Sequence, residues 1–208
     1  GDQGFPGNAV IHHTYRLDNQ GGLHIVYDAI CDKDTVFNMT NHSYFNLAGQ
    51  DQVDKAMSQL LTIPGRWFNP DDAENIPTGE KRSVAGTPMD FRSPKPIGQD
   101  IKKDHPQLTP WGGYDNNYIL RKSEKLSLAA RIEGKEIVLE VLTDQPCLQF
   151  YTSNDTPKTP MKYGLPQVHH RAFCVETQAE PNAVNFDGKY LKAGEVFNSR
   201  TIFRLSDV

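Results

Sequence analysis

No stretch of this 208-residue chain places apolar residues at i, i+3, i+4 and i+7 over three helical turns, and 14 prolines and 16 glycines interrupt it from end to end. A chain without such a stripe has no helix face to bury, so its core must come from strands. The period-2 pattern agrees. Leu23, Ile25 and Tyr27 fall on one face of a first strand, and Ile137, Leu139 and Val141 on one face of another. Leu126, Leu128, Ala130 and Ile132 are likewise expected to share a face. Glu133-Gly134-Lys135 would join these last two strands as an antiparallel hairpin, and Asn19-Gln20-Gly21-Gly22 would make a similar turn. Residues 64 to 110 hold eight prolines, a density that suits long excursions from a sheet rather than a linker between domains. The expected fold is all-β, an antiparallel β-sandwich, with residues 1–208 in a single domain.

The composition sets further bounds. With 37% hydrophobic and 23% charged residues, the chain has what a folded core requires and is not a disordered tail. A formal charge of -4 and a pI near 6 offer no basic field to a phosphate backbone, so nucleic acid is not an expected partner. No apolar run approaches the ~18 residues of a membrane span, and the first residues lack the charged-then-apolar signature of a signal peptide. Cys31, Cys147 and Cys174 are too widely spaced for a CxxC site and read as reduced, buried thiols of a cytoplasmic protein.

One histidine stands in a setting suited to proton chemistry. His42 lies in the polar run TNHSYFNLAG, residues 40–49, and if 36–44 is extended, Asn38, Thr40, His42 and Tyr44 share a face while Phe37 and Met39 take the other. In FCVETQ, residues 173–178, Phe173 and Val175 point one way and Cys174, Glu176 and Gln178 the other. That mixed face would desolvate Glu176 in part and raise its pKa. Taken alone, His42 also fits a structural histidine bonded to carbonyls in a turn, and Glu176 an exposed strand carboxylate paired with Lys or Arg. Asp115 also fits a turn residue after Gly112 and Gly113, and Gln149 a solvated strand residue.

Four stretches in order, TNHSYFNLAG, WGGYDNNY at 111–118, CLQFYTSN at 147–154 and FCVETQAEPNAVN at 173–185, together resemble the aldose 1-epimerases. Weaker matches at GDQGFPGN (1–8) and SVAGTPMDFR (83–92) extend the resemblance from Gly1 to about Asn198. It implies the galactose-mutarotase-like sandwich, or supersandwich, and a monosaccharide such as galactose or glucose as the partner. It also implies ring opening by acid–base catalysis with no cofactor, Glu176 as general base and His42 as general acid. By the same resemblance Asp115 and Gln149 contact sugar hydroxyls; Tyr44 and Phe45 line the pocket or pack in the core. The family carries a substrate-binding Arg and a second active-site His upstream of the motifs matched here, and His12 and His13 do not sit in the corresponding motif. The chain is therefore expected to be the C-terminal portion of a longer family domain, incomplete at its N-terminus.

Two other functions stay open at this level. A non-catalytic carbohydrate-binding or structural remnant would keep the fold without turnover, and a glycoside hydrolase would use Glu176 and Asp115 as its carboxylate pair. No metal site is expected, because His12-His13 and His169-His170 are neighbours on strands and point to opposite faces. Trp67 and Trp111, in loop-rich sequence, suit either a sugar platform or a loop anchor.

Overall fold

The computed structural model describes residues 1–120, 126–156 and 160–208. Two antiparallel sheets carry the chain. The larger has seven strands in the spatial order β1 (Ala9–Leu17), β2 (Gly22–Cys31), β12 (Val196–Asp207), β9 (Ile137–Thr143), β8 (Ser127–Glu133), β3 (Leu60–Thr62) and β6 (Lys95–Pro96). The smaller has five, in the order β11 (Cys174–Gln178), β10 (Cys147–Tyr151), β7 (Asp115–Ile119), β4 (Trp67–Asn69) and β5 (Arg82–Ser83). Both expected hairpins form, β1–β2 and β8–β9. The proline-rich stretch supplies three short strands, β4 and β5 to the small sheet and β6 to the large one, so it is woven into the sandwich more closely than excursions would be. Trp67 accordingly lies on β4 and not in a loop. The only α-helix among the described residues is the single turn α1 (Ala183–Phe186), and no helix there is long and apolar enough to cross a membrane.

The sheets close on a core to which both contribute. Ile25, Leu139, Val141 and Ile132 come from the large sheet, and Phe68, Tyr118, Leu148, Phe150 and Val175 from the small one. Phe91 fills the space between, meeting Tyr114 at 5.2 Å and Phe150 at 5.6 Å, both edge to face. This geometry sets the positive ring edge against the negative ring face, and burying each such ring contributes ~1.5–3 kcal/mol. Cys31, Cys147 and Cys174 are all free and buried.

Two local expectations fail for identifiable reasons. Leu126 and Leu128 are exposed whereas Ala130 and Ile132 are fully buried, because a register shift between Leu128 and Ala130 inserts one residue and reverses the parity. A bulge of this kind moves every later side chain to the opposite face. The 36–44 segment joins neither ladder as a regular strand. Isolated bridges flank it, Thr35 to Leu191 and Phe45 to Phe173.

Candidate active site

The register of the small sheet lines up polar side chains across it. Gln149 lies opposite Glu176 on β11 and opposite Asn117 on β7, and Asn117 faces Asn69 on β4. Residues directly opposite share a face, so these four form one row. The next row on that face holds Cys174, Tyr151 and Asp115. The intervening residues Val175, Phe150 and Leu148 enter the core. On β7, β10 and β11 the core-side residues are thus mostly apolar, with Asn116 and Thr177 as the polar exceptions.

Asp115 opens β7 and is not a turn residue. The turn lies just before it, where Gly112 is left-handed at φ 69°. A Cβ on Gly113 would strike the Asn154 side-chain oxygen and come within 2.7 Å of the Thr152 hydroxyl, so the second glycine lets β7 approach the end of β10. The Asp115 carboxylate accepts hydrogen bonds from Gln149 Nε2 at 2.7 Å and from Asn75 Nδ2 at 3.2 Å. Asn75 reaches it from a left-handed conformation, φ 61°, which asparagine tolerates better than most residues. The row is tied further by Asn117 Nδ2 donating to Asn69 Oδ1 at 2.7 Å and Gln178 Nε2 donating to Asn117 Oδ1 at 3.0 Å.

His42 reaches the same face along the edge of β11. Phe45 and Phe173 exchange both backbone hydrogen bonds, at 2.8 and 2.9 Å. Stepping back three residues on one side and forward three on the other sets His42 opposite Glu176. The far end is held by Asn38, whose side chain accepts from the Ala179 N–H at 2.9 Å and donates to the Ala179 carbonyl at 3.1 Å. His42 Nε2 consequently stands 3.6 Å from Glu176 Oε1. Its ring stacks on Tyr44 (5.1 Å, 16°) and meets the edge of Tyr151 at 6.1 Å. Tyr44 and Tyr151 also border a cavity of about 560 Å³ whose wall includes Ser153, Asp155 and Arg171.

Glu176 is only 6% exposed, and His42 is its one ion-pair partner among the described residues. Burial first, and then the Asp115 charge, push its carboxyl up to about 7. The exposed strand carboxylate paired with Lys or Arg is not what the chain builds. Burial likewise moves Tyr44 up to about 12, helped by the nearby Cys174, Tyr151 and Glu176.

All five residues singled out in the sequence, His42, Glu176, Asp115, Gln149 and Tyr44, thus meet on one face of the small sheet. Sequence reasoning passed over others. Asn117 and Tyr151 share that face by the same parity that placed Gln149. Asp71, in the loop after β4, bears a buried Oδ2 without a hydrogen-bond partner, and burial followed by the Asp115 charge raises it to about 7. No spacing signals Asp71, because loop closure alone brings it to Asp115. The two histidine pairs serve elsewhere. His169 and His170 bond through Nδ1 to the carbonyls of Asn154 (2.6 Å) and Thr152 (3.0 Å), while His13 stacks on Tyr27 at 4.2 Å.

A buried carboxyl with its pKa pushed up to about 7 beside an imidazole has the chemistry for proton exchange near neutral pH, over a floor of amides and a carboxylate, which are donors and acceptors for a polyol. An aldose 1-epimerase family model matches residues 1–204 of this chain. The galactose mutarotase of Sus scrofa is 41% identical over 212 residues, covering 99% of the chain and 60% of the relative. The aldose 1-epimerase of Haemophilus influenzae is 36% identical over 210 residues, covering 98% and 61%. Among solved structures, the galactose 1-epimerase of Lactobacillus acidophilus NCFM superposes with a TM-score of 0.87 at 30% identity, covering all of this chain and 60% of that one. This chain spans about 60% of the length of the curated relatives it matches. The family match over nearly its whole length shows that the chain belongs to the aldose 1-epimerase family.

Proposed function

We propose that this chain carries the acid–base centre of an enzyme that interconverts the α and β anomers of free aldohexoses such as galactose or glucose. The observation that carries this reading is the desolvated Glu176, with a carboxyl pKa of about 7, standing 3.6 Å from His42 Nε2. The anomeric oxygen and the ring oxygen are both bonded to C1, so a base for one and an acid for the other must be near neighbours. Glu176 takes the proton of the anomeric hydroxyl as the bond from C1 to the ring oxygen breaks and C1 becomes a carbonyl. His42, protonated, gives its proton to the departing ring oxygen. Rotation about C1–C2 turns the other carbonyl face to the hydroxyl, and closure returns each proton to its donor. Electrons and protons balance without a cofactor. Asp115 and Gln149 hold sugar hydroxyls, and Tyr44 braces the His42 ring.

Polarimetry of freshly dissolved α-D-galactose tests this, with the parent chain beside a Glu176→Gln/His42→Asn double variant. Faster relaxation with the parent alone, and inertness towards methyl α-D-galactoside, is the expected result; release of methanol would point to a hydrolase instead. One observation favours a second reading. All nine residues of β1 are exposed, among them Val10, Ile11, Tyr15 and Leu17, so one edge strand of the large sheet is bare on both sides in a chain spanning about 60% of the length of its relatives. On that reading galactose binds, by NMR titration, while rotation relaxes at the buffer rate.

A further inference from the structure

Cys174 lies two residues before Glu176 and on the same face of β11, and His42 faces Glu176 from the flanking segment. A ring nitrogen of His42, the sulfur of Cys174 and a carboxylate oxygen of Glu176 all lie within 4.8 Å of one another. Among the described residues this is the one group of three histidine, cysteine or carboxylate side chains that converges so. We propose that His42, Cys174 and Glu176 form a binding site for a single zinc-class divalent cation, seated on the proton-transfer pair itself.

The donor set is one imidazole nitrogen, one thiolate sulfur and one carboxylate oxygen, which suits a borderline-soft ion in tetrahedral coordination with a fourth position open to water. Bonds of about 2.0 Å to nitrogen and oxygen and about 2.3 Å to sulfur place tetrahedral ligands roughly 3.3–3.6 Å apart. The His42–Glu176 distance of 3.6 Å already meets this. The widest separation, 4.8 Å, must close by about 1 Å. Where that gap involves His42, a turn of its ring, which is 52% exposed, narrows it; where it lies between Cys174 and Glu176, their side-chain rotations on β11 must do so. Glu176 and Asp115 supply the negative field that a cation seeks and a thiolate opposes. Burial and those two charges keep the Cys174 thiol protonated in the metal-free protein. Binding therefore exchanges that proton, and any proton the Glu176 carboxyl still holds, for the cation: the S–H and O–H bonds break, the sulfur–metal and oxygen–metal bonds form, and the protons leave to solvent. Among the described residues Cys31 and Cys147 belong to no such group. Only one consequence rests on the proposed function: an occupied site ties up both proton-transfer groups, so zinc slows mutarotation and a chelator restores it.

Titration with Co²⁺ tests the site without reference to turnover. The parent chain and Cys147→Ser are expected to develop a thiolate-to-cobalt charge-transfer absorption that saturates at one equivalent and that Zn²⁺ abolishes. Cys174→Ser should show none, and His42→Asn, at an exposed position that the fold does not depend on, should need at least about 10-fold more cobalt. Absence of the absorption in the parent at millimolar Co²⁺, or its survival in Cys174→Ser, overturns the proposal. A cobalt signal in a chain that does not speed mutarotation keeps the metal site and removes the epimerase reading. Mutarotation without a cobalt signal does the reverse.

Discussion

β1 and β11 each close one edge of a sheet, and their exposures are the opposite of what their compositions suggest. β1 reads AVIHHTYRL and leaves all nine residues exposed, Leu17 by 78%. β11 reads CVETQ and buries four of five, including Glu176. The difference lies in what covers each strand. β11 has Phe150 and Phe173 behind it and the His42 segment along its flank, whereas β1 is paired with β2 and leaves every residue exposed, with Asn41 Nδ2 reaching only its Tyr15 hydroxyl at 3.2 Å. Burial in this chain follows the neighbours of a strand more than its hydropathy, and the site exists because a polar strand was given the covered position.

The largest effect is expected where that cover acts on a charge. Glu176→Gln should lower the rate of mutarotation by ~10²–10⁴-fold, the usual worth of a general base. It should also stabilise the fold at alkaline pH. Because the folded pKa of about 7 lies above the ordinary 4.5, the carboxyl's contribution to stability is intact below pH 4.5 and is lost as pH rises through 7. The loss amounts to about 3 kcal/mol once the group is ionised. Denaturant unfolding of parent and variant should therefore coincide near pH 4, diverge between about pH 4.5 and 7 and stay apart above that. Curves that keep a constant separation across this range would remove desolvation as the cause. The same titration makes the parent's kcat/KM rise with pH through about 7, since the base must be ionised to act.

Behind β11 the expected effect is on packing alone. Phe173 is fully buried, stacks on Phe45 at 6.2 Å and lies in the core cluster. Phe173→Ala should cost about 3–5 kcal/mol of unfolding free energy. It should also loosen the Phe45 bridge that aligns His42 with Glu176, so the surviving folded fraction should show a reduced kcat as well as reduced stability. An unchanged kcat in that fraction would mean the Asn38 end of the segment suffices to hold His42.

Much of this arrangement was readable in the sequence, and the unread parts share a physical cause. Period-2 alternation in 22–31 assigned the core face of one strand, and in 173–178 it separated the core face of another from the face that carries Glu176. It failed at Leu126 and Leu128, where one inserted residue reverses the faces and leaves no mark in composition. The polar face of 173–178 and the raised pKa of Glu176 followed from parity, yet the partner that stands beside it did not. That pairing depends on Phe45 meeting Phe173, a long-range register that no local pattern encodes. Asp71 was missed for the same reason, since only loop closure between β4 and β5 carries it to Asp115. Cys174 was read only as a reduced, buried thiol because no spacing in the sequence sets His42 beside it.

The smallest effect belongs to the uncovered strand. Leu17→Ser changes a side chain that is 78% exposed and lies at the end of β1, where pairing with Leu23 is by backbone. Such a change should alter unfolding free energy by no more than about 0.5 kcal/mol, against the several expected for Phe173→Ala on β11. Thermal unfolding of the two variants side by side sets the scale of the contrast. A loss above about 1 kcal/mol at Leu17 would place an apolar contact on the bare face of β1 in solution, since surface changes away from any packed feature do not reach that size. The two edges would then differ only in which cover the structure contains, and hydropathy would regain the explanatory weight that the buried CVETQ strand takes from it.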